Sequence, residues 1–158
     1  MSARAGIGYD SHRLEPGRPL ILGGVEIPGA ELGPVGHSDA DVLAHAVADA
    51  LLGAAALGDI GAHFPDTDER WRNADSIVLL GRVRDLLAHA GFEPVNLDCT
   101  VICEAPRLGP HRDPMRERLA AATGLDPGTV SVKFTTNEGM GFLGRGEGIA
   151  ALAIAAVE

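Results

Sequence analysis

Val42-Leu43-Ala44-His45-Ala46-Val47-Ala48-Asp49-Ala50-Leu51-Leu52-Gly53-Ala54-Ala55-Ala56-Leu57 is the longest apolar run in the chain. Its apolar residues fall on most sides of a helix, not on one stripe, so the segment is expected to be a largely buried helix. His45, Asp49 and Gly53 interrupt it, and it falls short of the roughly 20 uncharged apolar residues of a membrane span. Ser38 or Asp39 is placed to cap its start, and Gly58 to stop it.

Working outward, Ala5–Tyr9 reads as a short first strand leading into Asp10-Ser11-His12. Pro19–Leu22 and Val25–Ile27 flank Gly23-Gly24, a two-residue hairpin signal. Pro28 through Gly36 reads as loop, as does Asp59–Asn73. Ile77, Leu80, Val83 and Leu87 repeat at helical spacing, so a second helix runs from about Asp75 to Ala90, with Gly91 as its stop. Val95, Leu97, Cys99, Val101 and Cys103 alternate as one face of a strand. A third helix starts near Pro110–Asp113 and ends before Gly124. Val130–Thr136 and Gly148–Val157 are two further strands.

This order predicts an α/β (α+β) sandwich: a single mixed four- to five-stranded sheet with helices packed on one face, residues 1–158 forming a single domain. No repeat or linker divides the chain. A sheet covered on one side leaves the other face needing a partner, so self-association is expected.

Composition excludes several function classes. The net charge of −9 argues against nucleic-acid and membrane-surface binding. The first residues, Met-Ser-Ala-Arg-Ala-Gly-Ile-Gly, lack the apolar core of a signal peptide, so a cytoplasmic location is expected. Cys99 and Cys103, the only two cysteines, would lie about 13 Å apart on one strand face. That is too far for a disulfide, and they read as small buried apolar residues. Lys133 is the only lysine beside twelve arginines. An acidic protein that binds phosphates must reverse its local field, and divalent cations do so directly.

Two constellations carry chemistry. Asp10 and His12, two apart on an extended segment, point to the same side. His45, from the buried helix, would complete a carboxylate and two imidazoles. That is a zinc-like donor set with one open position. The plainer reading of His45 is a hydrogen-bonded core histidine. Asp49 either orients His45 or is a solvated helix position. In the second constellation, Thr135-Thr136 leads into Glu138 and a glycine-dense loop that reads either as an anion cradle, with Lys133 and the hydroxyls as donors, or as a tight turn. Glu138 could hold a hard cation that bridges phosphates. Arg145 and Glu147 read as a surface salt bridge or as the lining of a shared axis. The carboxylates of Asp59 and of Phe64-Pro65-Asp66-Thr67-Asp68 would either accept from polyol hydroxyls or serve turn chemistry.

Several segments taken together resemble the 2-C-methyl-D-erythritol 2,4-cyclodiphosphate synthase family of the non-mevalonate isoprenoid pathway, over essentially the whole chain. They are Gly6-Ile7-Gly8-Tyr9-Asp10-Ser11-His12, His37-Ser38-Asp39-Ala40-Asp41 with His45, and Leu51 through Gly61. Phe64 through Asp68, Lys133 with Thr135, Thr136 and Glu138, and Gly144-Arg145-Gly146-Glu147-Gly148 continue the likeness. The resemblance implies a homotrimer with active sites between adjacent subunits. It implies that 4-diphosphocytidyl-2-C-methyl-D-erythritol 2-phosphate is cyclised by attack of its 2-phosphate on the β-phosphorus, with loss of CMP. Zinc would sit on Asp10, His12 and His45, and magnesium or manganese on Glu138. His37, Thr136 and Glu138 would act at the reacting phosphates.

The resemblance also implies the substrate contacts. His37, Ser38, Phe64, Pro65, Asp66 and Asp68 would meet the methylerythritol unit, and Asp59 and Gly61 the ribose. The segment Cys103-Glu104-Ala105-Pro106-Arg107-Leu108 would form the cytosine pocket, with Cys103, Ala105, Pro106, Arg107 and Leu108 as its contacts. Lys133, Phe134, Thr135, Thr136, Phe142 and Arg145 would complete the contacts. Arg107 stands where the family usually has lysine, which keeps the charge but replaces a compact ammonium with a planar fork. Arg145 and Glu147 are implied at a trimer axis that takes an isoprenoid diphosphate effector. No nucleophile–base triad is expected, because the attacking phosphate already carries its charge. Two other readings compete: a zinc-dependent phosphodiesterase, in which water attacks, and a non-catalytic trimeric nucleotide- or metal-binding module.

Overall fold

A computed structural model describes residues 2–158. Strand β1 (Arg4–Pro16) is followed by the short strands β2 (Ile21–Leu22) and β3 (Val25–Glu26), which form a separate hairpin, and by β4 (Leu32–Pro34). Helices α1 (Val42–Ala54), α2 (Ile60–His63) and α3 (Ser76–His89) come next, then β5 (Pro94–Ile102), α4 (Arg112–Thr123), β6 (Val130–Thr135), α5 (Gly141–Gly144) and β7 (Gly148–Val157). The main sheet has five strands in the order β4-β1-β7-β5-β6. Only β5 and β6 run parallel, so the sheet is mixed as expected.

Three boundaries depart from the sequence reading. β1 does not stop at Tyr9. Asp10 through Arg13 pair with Ala151 through Gly148, so these polar residues take ladder bonds like the apolar ones before them. The segment read as loop from Pro28 to Gly36 contains β4, because the lengthened β1 offers backbone partners at Leu14 through Pro16. α1 starts later than Ser38 or Asp39: Ala40 sits at a positive φ of 57°, and Asp41 is the cap, accepting from the Ala44 N–H at 3.0 Å. Gly23 and Gly24, with φ of 56° and 75°, make the expected hairpin turn. Their N–H groups donate to the two carboxylate oxygens of Asp41, at 2.9 and 2.8 Å. One fully buried carboxylate therefore ties the hairpin to the start of α1.

α1 lies on β1 and β7, with α3 against its other side. Val42, Leu43, Val47, Leu51 and Leu52 are fully buried, each worth roughly 1.5–3 kcal/mol against exposure. The contact with β1 is closer than side chains normally permit. A Cβ on Gly8 would overlap the carbonyl oxygen of Ala46, and one on Gly6 that of Ala50. Glycine at both positions lets the helix backbone rest on the strand backbone. Cys99 and Cys103 are free and buried, and burial pushes the Cys99 thiol up to about 12.

Among the described residues, the other sheet face carries no helix. Ile7 pairs with Ile154 and Tyr9 with Leu152 across β1 and β7. All four are exposed, Ile7 at 69%. Among the described residues no helix is long and apolar enough to cross a membrane.

Candidate metal centre

Gly6, Gly8, Asp10 and His12 are alternate residues of β1, so all four face the helices. The glycine seam that seats α1 thereby sets His45, which precedes Ala46, beside Asp10. Asp10 Oδ2 is 3.0 Å from His12 Nε2 and 3.1 Å from His45 Nδ1. The three donor atoms lie within 4.8 Å of one another.

Proton bookkeeping defines what this cluster can do. His12 Nδ1 donates to the Val35 carbonyl at 2.7 Å, which leaves Nε2 as the lone-pair nitrogen. His12 Nε2 is buried, and despite its closeness to Asp10 it makes no hydrogen bond. Ser76 donates its hydroxyl to Asp39 Oδ1 and its backbone N–H to Asp39 Oδ2, the latter at 2.9 Å. The Ser76 oxygen is then free to accept from His45 Nε2 at 2.7 Å, leaving His45 Nδ1 as a second lone-pair nitrogen aimed at Asp10. In these tautomers two imidazole lone pairs and a carboxylate converge, an arrangement that suits a divalent cation. Burial raises the Asp10 carboxyl, but the two imidazoles outweigh it and hold it below its ordinary value. Burial lowers His12, while Asp10 more than offsets this and raises it.

Asp49 does not orient His45. It accepts from the Ile60 N–H at 2.7 Å and fixes the start of α2. Ser76, itself fixed by Asp39, holds the imidazole instead, and the Ser38 hydroxyl lies 3.2 Å from the same His45 Nε2. Ser76 comes from a segment 31 residues beyond His45, and no local spacing announces it.

The triad opens into a cleft of about 470 Å³. His37, Ser38, Phe64, Pro65 and Asp66, which the sequence reading grouped, line it, and so does Gly61, which that reading placed with Asp59 instead. Trp71, Ile60 and Leu79 also line it and were not anticipated. Trp71 meets Phe64 edge-on at 5.1 Å between ring centroids. Asp59 caps α2, accepting from the Ala62 N–H at 2.9 Å. Asp68 stands outside the lining, its carboxylate ion-paired with Arg70 at 2.6 Å.

The second group lies elsewhere. Cys103, Pro106, Arg107, Leu108, Phe134, Thr135 and Thr136 line a separate cleft of about 480 Å³ beyond the ends of β5 and β6. Ala105 belongs to the same loop and accepts from the Cys103 thiol at 3.0 Å. Glu138 follows, exposed, at a positive φ of 54°. Ser11, Ala150, Ile102 and Thr135 stand in one row across β1, β7, β5 and β6. Three strand spacings, about 14 Å, therefore separate Thr135 from the strand that carries Asp10 and His12. Lys133 joins neither group: it pairs with Asp98 at 2.8 Å on the open face. Phe142 and Glu147 border a hollow of about 240 Å³ beside Ser11, His12 and Arg13. Arg145 pairs with Glu147 at 2.9 Å.

Fold and site together define the class: an α/β sandwich whose glycine seam builds a candidate divalent-metal site of one carboxylate and two imidazoles at the mouth of a largely apolar cleft. The chain belongs to the YgbB family, whose model matches residues 3–158. It is 61% identical over 152 residues to the 2-C-methyl-D-erythritol 2,4-cyclodiphosphate synthase of Symbiobacterium thermophilum, covering 96% of each chain. It is 60% identical over 155 residues to the enzyme of that name from Salinibacter ruber, covering 98% of each. A solved 2C-methyl-D-erythritol-2,4-cyclodiphosphate synthase with bound CDP matches with a TM-score of 0.90 at 39% identity, over 98% of this chain and all of that one. The bifunctional IspDF of Campylobacter jejuni matches with a TM-score of 0.94 at 42% identity, over 99% of this chain and 42% of that one.

Proposed function

We propose that the chain converts 4-diphosphocytidyl-2-C-methyl-D-erythritol 2-phosphate into 2-C-methyl-D-erythritol 2,4-cyclodiphosphate and CMP. The observation that carries this reading is the convergence of Asp10, His12 and His45 at the mouth of a cleft, in a chain whose relatives bear the synthase name. In the reaction an oxygen of the 2-phosphate bonds to the β-phosphorus. The bond from the β-phosphorus to the oxygen it shares with the α-phosphorus breaks, and CMP departs with that oxygen.

Zinc on the triad, and magnesium or manganese on Glu138, would supply positive charge to the phosphate oxygens. The chain's own residues do the rest. His37, Ser38 and the wall from Phe64 to Asp66 would hold the methylerythritol unit, with Asp59 and Gly61 at the ribose. The loop from Cys103 to Leu108, with Phe134 and the hydroxyls of Thr135 and Thr136, would hold the cytidine end, Arg107 adding a fixed cation. Aligning nucleophile and electrophile in this way supplies roughly 7–11 kcal/mol of the barrier. No side chain is assigned as general base.

The two clefts use different residues some distance apart, which favours a site assembled between adjacent subunits of a trimer. The exposed apolar patch of Ile7, Tyr9, Leu152 and Ile154 would be buried in that assembly. There Arg145 and Glu147 would flank the axis and meet an isoprenoid diphosphate. A cytoplasmic location accords with such a substrate.

The test combines metal analysis with a CMP-release assay on wild type and His45→Ala. Wild type is expected to carry zinc and to yield cyclic product. His45→Ala is expected to lose the metal and at least 100-fold in rate. A linear product would mean that water attacks, and would replace cyclisation with hydrolysis.

A further inference from the structure

Glu104 lies in the loop assigned to the cytidine end and lines its cleft, yet its carboxylate also bridges the two loops that the nucleotide would need in register. β5 and β6 end side by side, and their last ladder contact continues as the Cys103 N–H donating to the Thr135 carbonyl at 3.0 Å. One residue later on one side and two on the other, Glu104 Oε1 accepts from the backbone N–H of Asn137 at 2.7 Å. That bond is partly buried. It ties the loop of Arg107 and Leu108 to the turn that carries Glu138.

The turn needs such a tie. Glu138 holds a positive φ of 54°, a conformation that a side chain with a Cβ adopts only when its surroundings impose it. Its own N–H donates to Thr136 Oγ1 at 3.2 Å. Asn137 Nδ2 donates to the Met140 carbonyl at 2.9 Å, and Met140 N–H returns to the Asn137 carbonyl at 3.0 Å. These three bonds all stay within Thr136–Met140. The Glu104 bond is the one that anchors the turn to the sheet end beside the base pocket. A carboxylate acceptor makes it a strong bond. Placed at the rim of a pocket for an anionic ligand, the same charge opposes binding. A structural clamp accounts for it better than ligand contact does.

We infer that Glu104 is a positioning residue: it sets the turn of Glu138 against the nucleotide pocket and so couples base binding to capture of the second cation. The inference rests on Glu138 holding that cation. Its test uses the full-length protein with zinc bound, and Mn²⁺ and CDP as probes. Mn²⁺ affinity in the presence of saturating CDP is read by electron paramagnetic resonance, and CDP affinity without Mn²⁺ by calorimetry.

Glu104→Ala leaves the Asn137 N–H unpaired and is expected to weaken Mn²⁺ about tenfold, with cation-free CDP affinity and zinc content unchanged. Glu104→Gln keeps an acceptor oxygen in place and is expected to return Mn²⁺ affinity to within about threefold of wild type. Glu138→Gln is the control and is expected to weaken Mn²⁺ at least as much as Glu104→Ala. Should Glu138→Gln weaken Mn²⁺ while Glu104→Ala does not, the coupling role is refuted and the cation site stands. Should Glu138→Gln bind Mn²⁺ as wild type does, both fall. Equal loss of cation-free CDP binding in Glu104→Ala would reduce Glu104 to a support of the base pocket and also refute the inference.

Discussion

Replacing Gly8 by alanine tests whether the packing of α1 on β1 is what builds the metal site. The added Cβ would point into the carbonyl of Ala46, a backbone atom inside a buried helix that no rotamer change can move aside. α1 must then withdraw or tilt by on the order of 1 Å. Overpacking of this kind typically costs about 1–3 kcal/mol, and backbone opposition puts Gly8 at the upper end. The functional loss should exceed the stability loss, because ligand distances tolerate only about ±0.2 Å. His45 travels with the helix while Asp10 and His12 stay on the strand, so an ångström of withdrawal removes one donor from the set. Zinc affinity is expected to fall at least 100-fold, read by competition with a chromogenic chelator on protein shown to be folded by circular dichroism. Gly53→Ala is the control within the same helix. Its Cβ would meet only the Ile7 carbonyl at 3.9 Å, so the substitution should leave zinc affinity alone and stabilise the helix by about 0.5–1 kcal/mol. Wild-type zinc affinity in Gly8→Ala would refute the seam as the device that positions His45.

Two further outcomes follow from groups around the site. Ser76→Ala removes the oxygen that accepts from His45 Nε2. Zinc affinity should fall about 10–100-fold, measured by the same competition, with an unchanged value refuting the tautomer assignment. Burial pushes the Asp41 carboxyl up from 3.8 to about 6, against the pull of three backbone N–H donors. Because the folded value lies above the unfolded one, the stabilisation from a protonated Asp41 is complete below about 3.8 and is lost as pH rises through about 6. In metal-free protein, the stability of wild type relative to Asp41→Asn should therefore drop by about 2 kcal/mol between pH 4 and 6.5 and then level off. Urea unfolding across that range measures it, and a flat difference would refute the assignment.

Much of this molecule is legible in its sequence where local chemistry decides. Gly148–Val157 is the last strand to the residue, Gly23-Gly24 turns a hairpin, and Asp75 precedes α3 as its cap. The triad was legible too, because Asp10 and His12 share a strand face and His45 lies in the one helix too apolar to sit at the surface. Illegible features depend on partners far along the chain. β4 is three residues without periodicity, and only the length of β1 makes it a strand. Asp39 is close enough to α1 to pass for its cap, but it is committed to Ser76, thirty-seven residues on. Asp49 is four residues from His45 and looks like its orienter, yet the Ile60 N–H claims it. Trp71 enters the cleft from a 3₁₀ turn whose sequence carries no burial pattern.

What joins fold to chemistry is the period of two along β1. Gly6 and Gly8 admit the helix, and Asp10 and His12 continue the same row past the point where α1 begins, so the row that packs becomes the row that coordinates. The alternate row, Ile7 and Tyr9, faces the uncovered side beside Ile154 and Leu152. A one-residue slip of β1 against β7 would exchange the rows. Ile7 and Tyr9 would then collide with the backbone of α1, and Asp10 and His12 would leave His45 behind. The same alternation therefore rules out the misregistered sheet and the misassembled metal site together. It leaves the apolar row on the one face where a second copy of the chain can cover it.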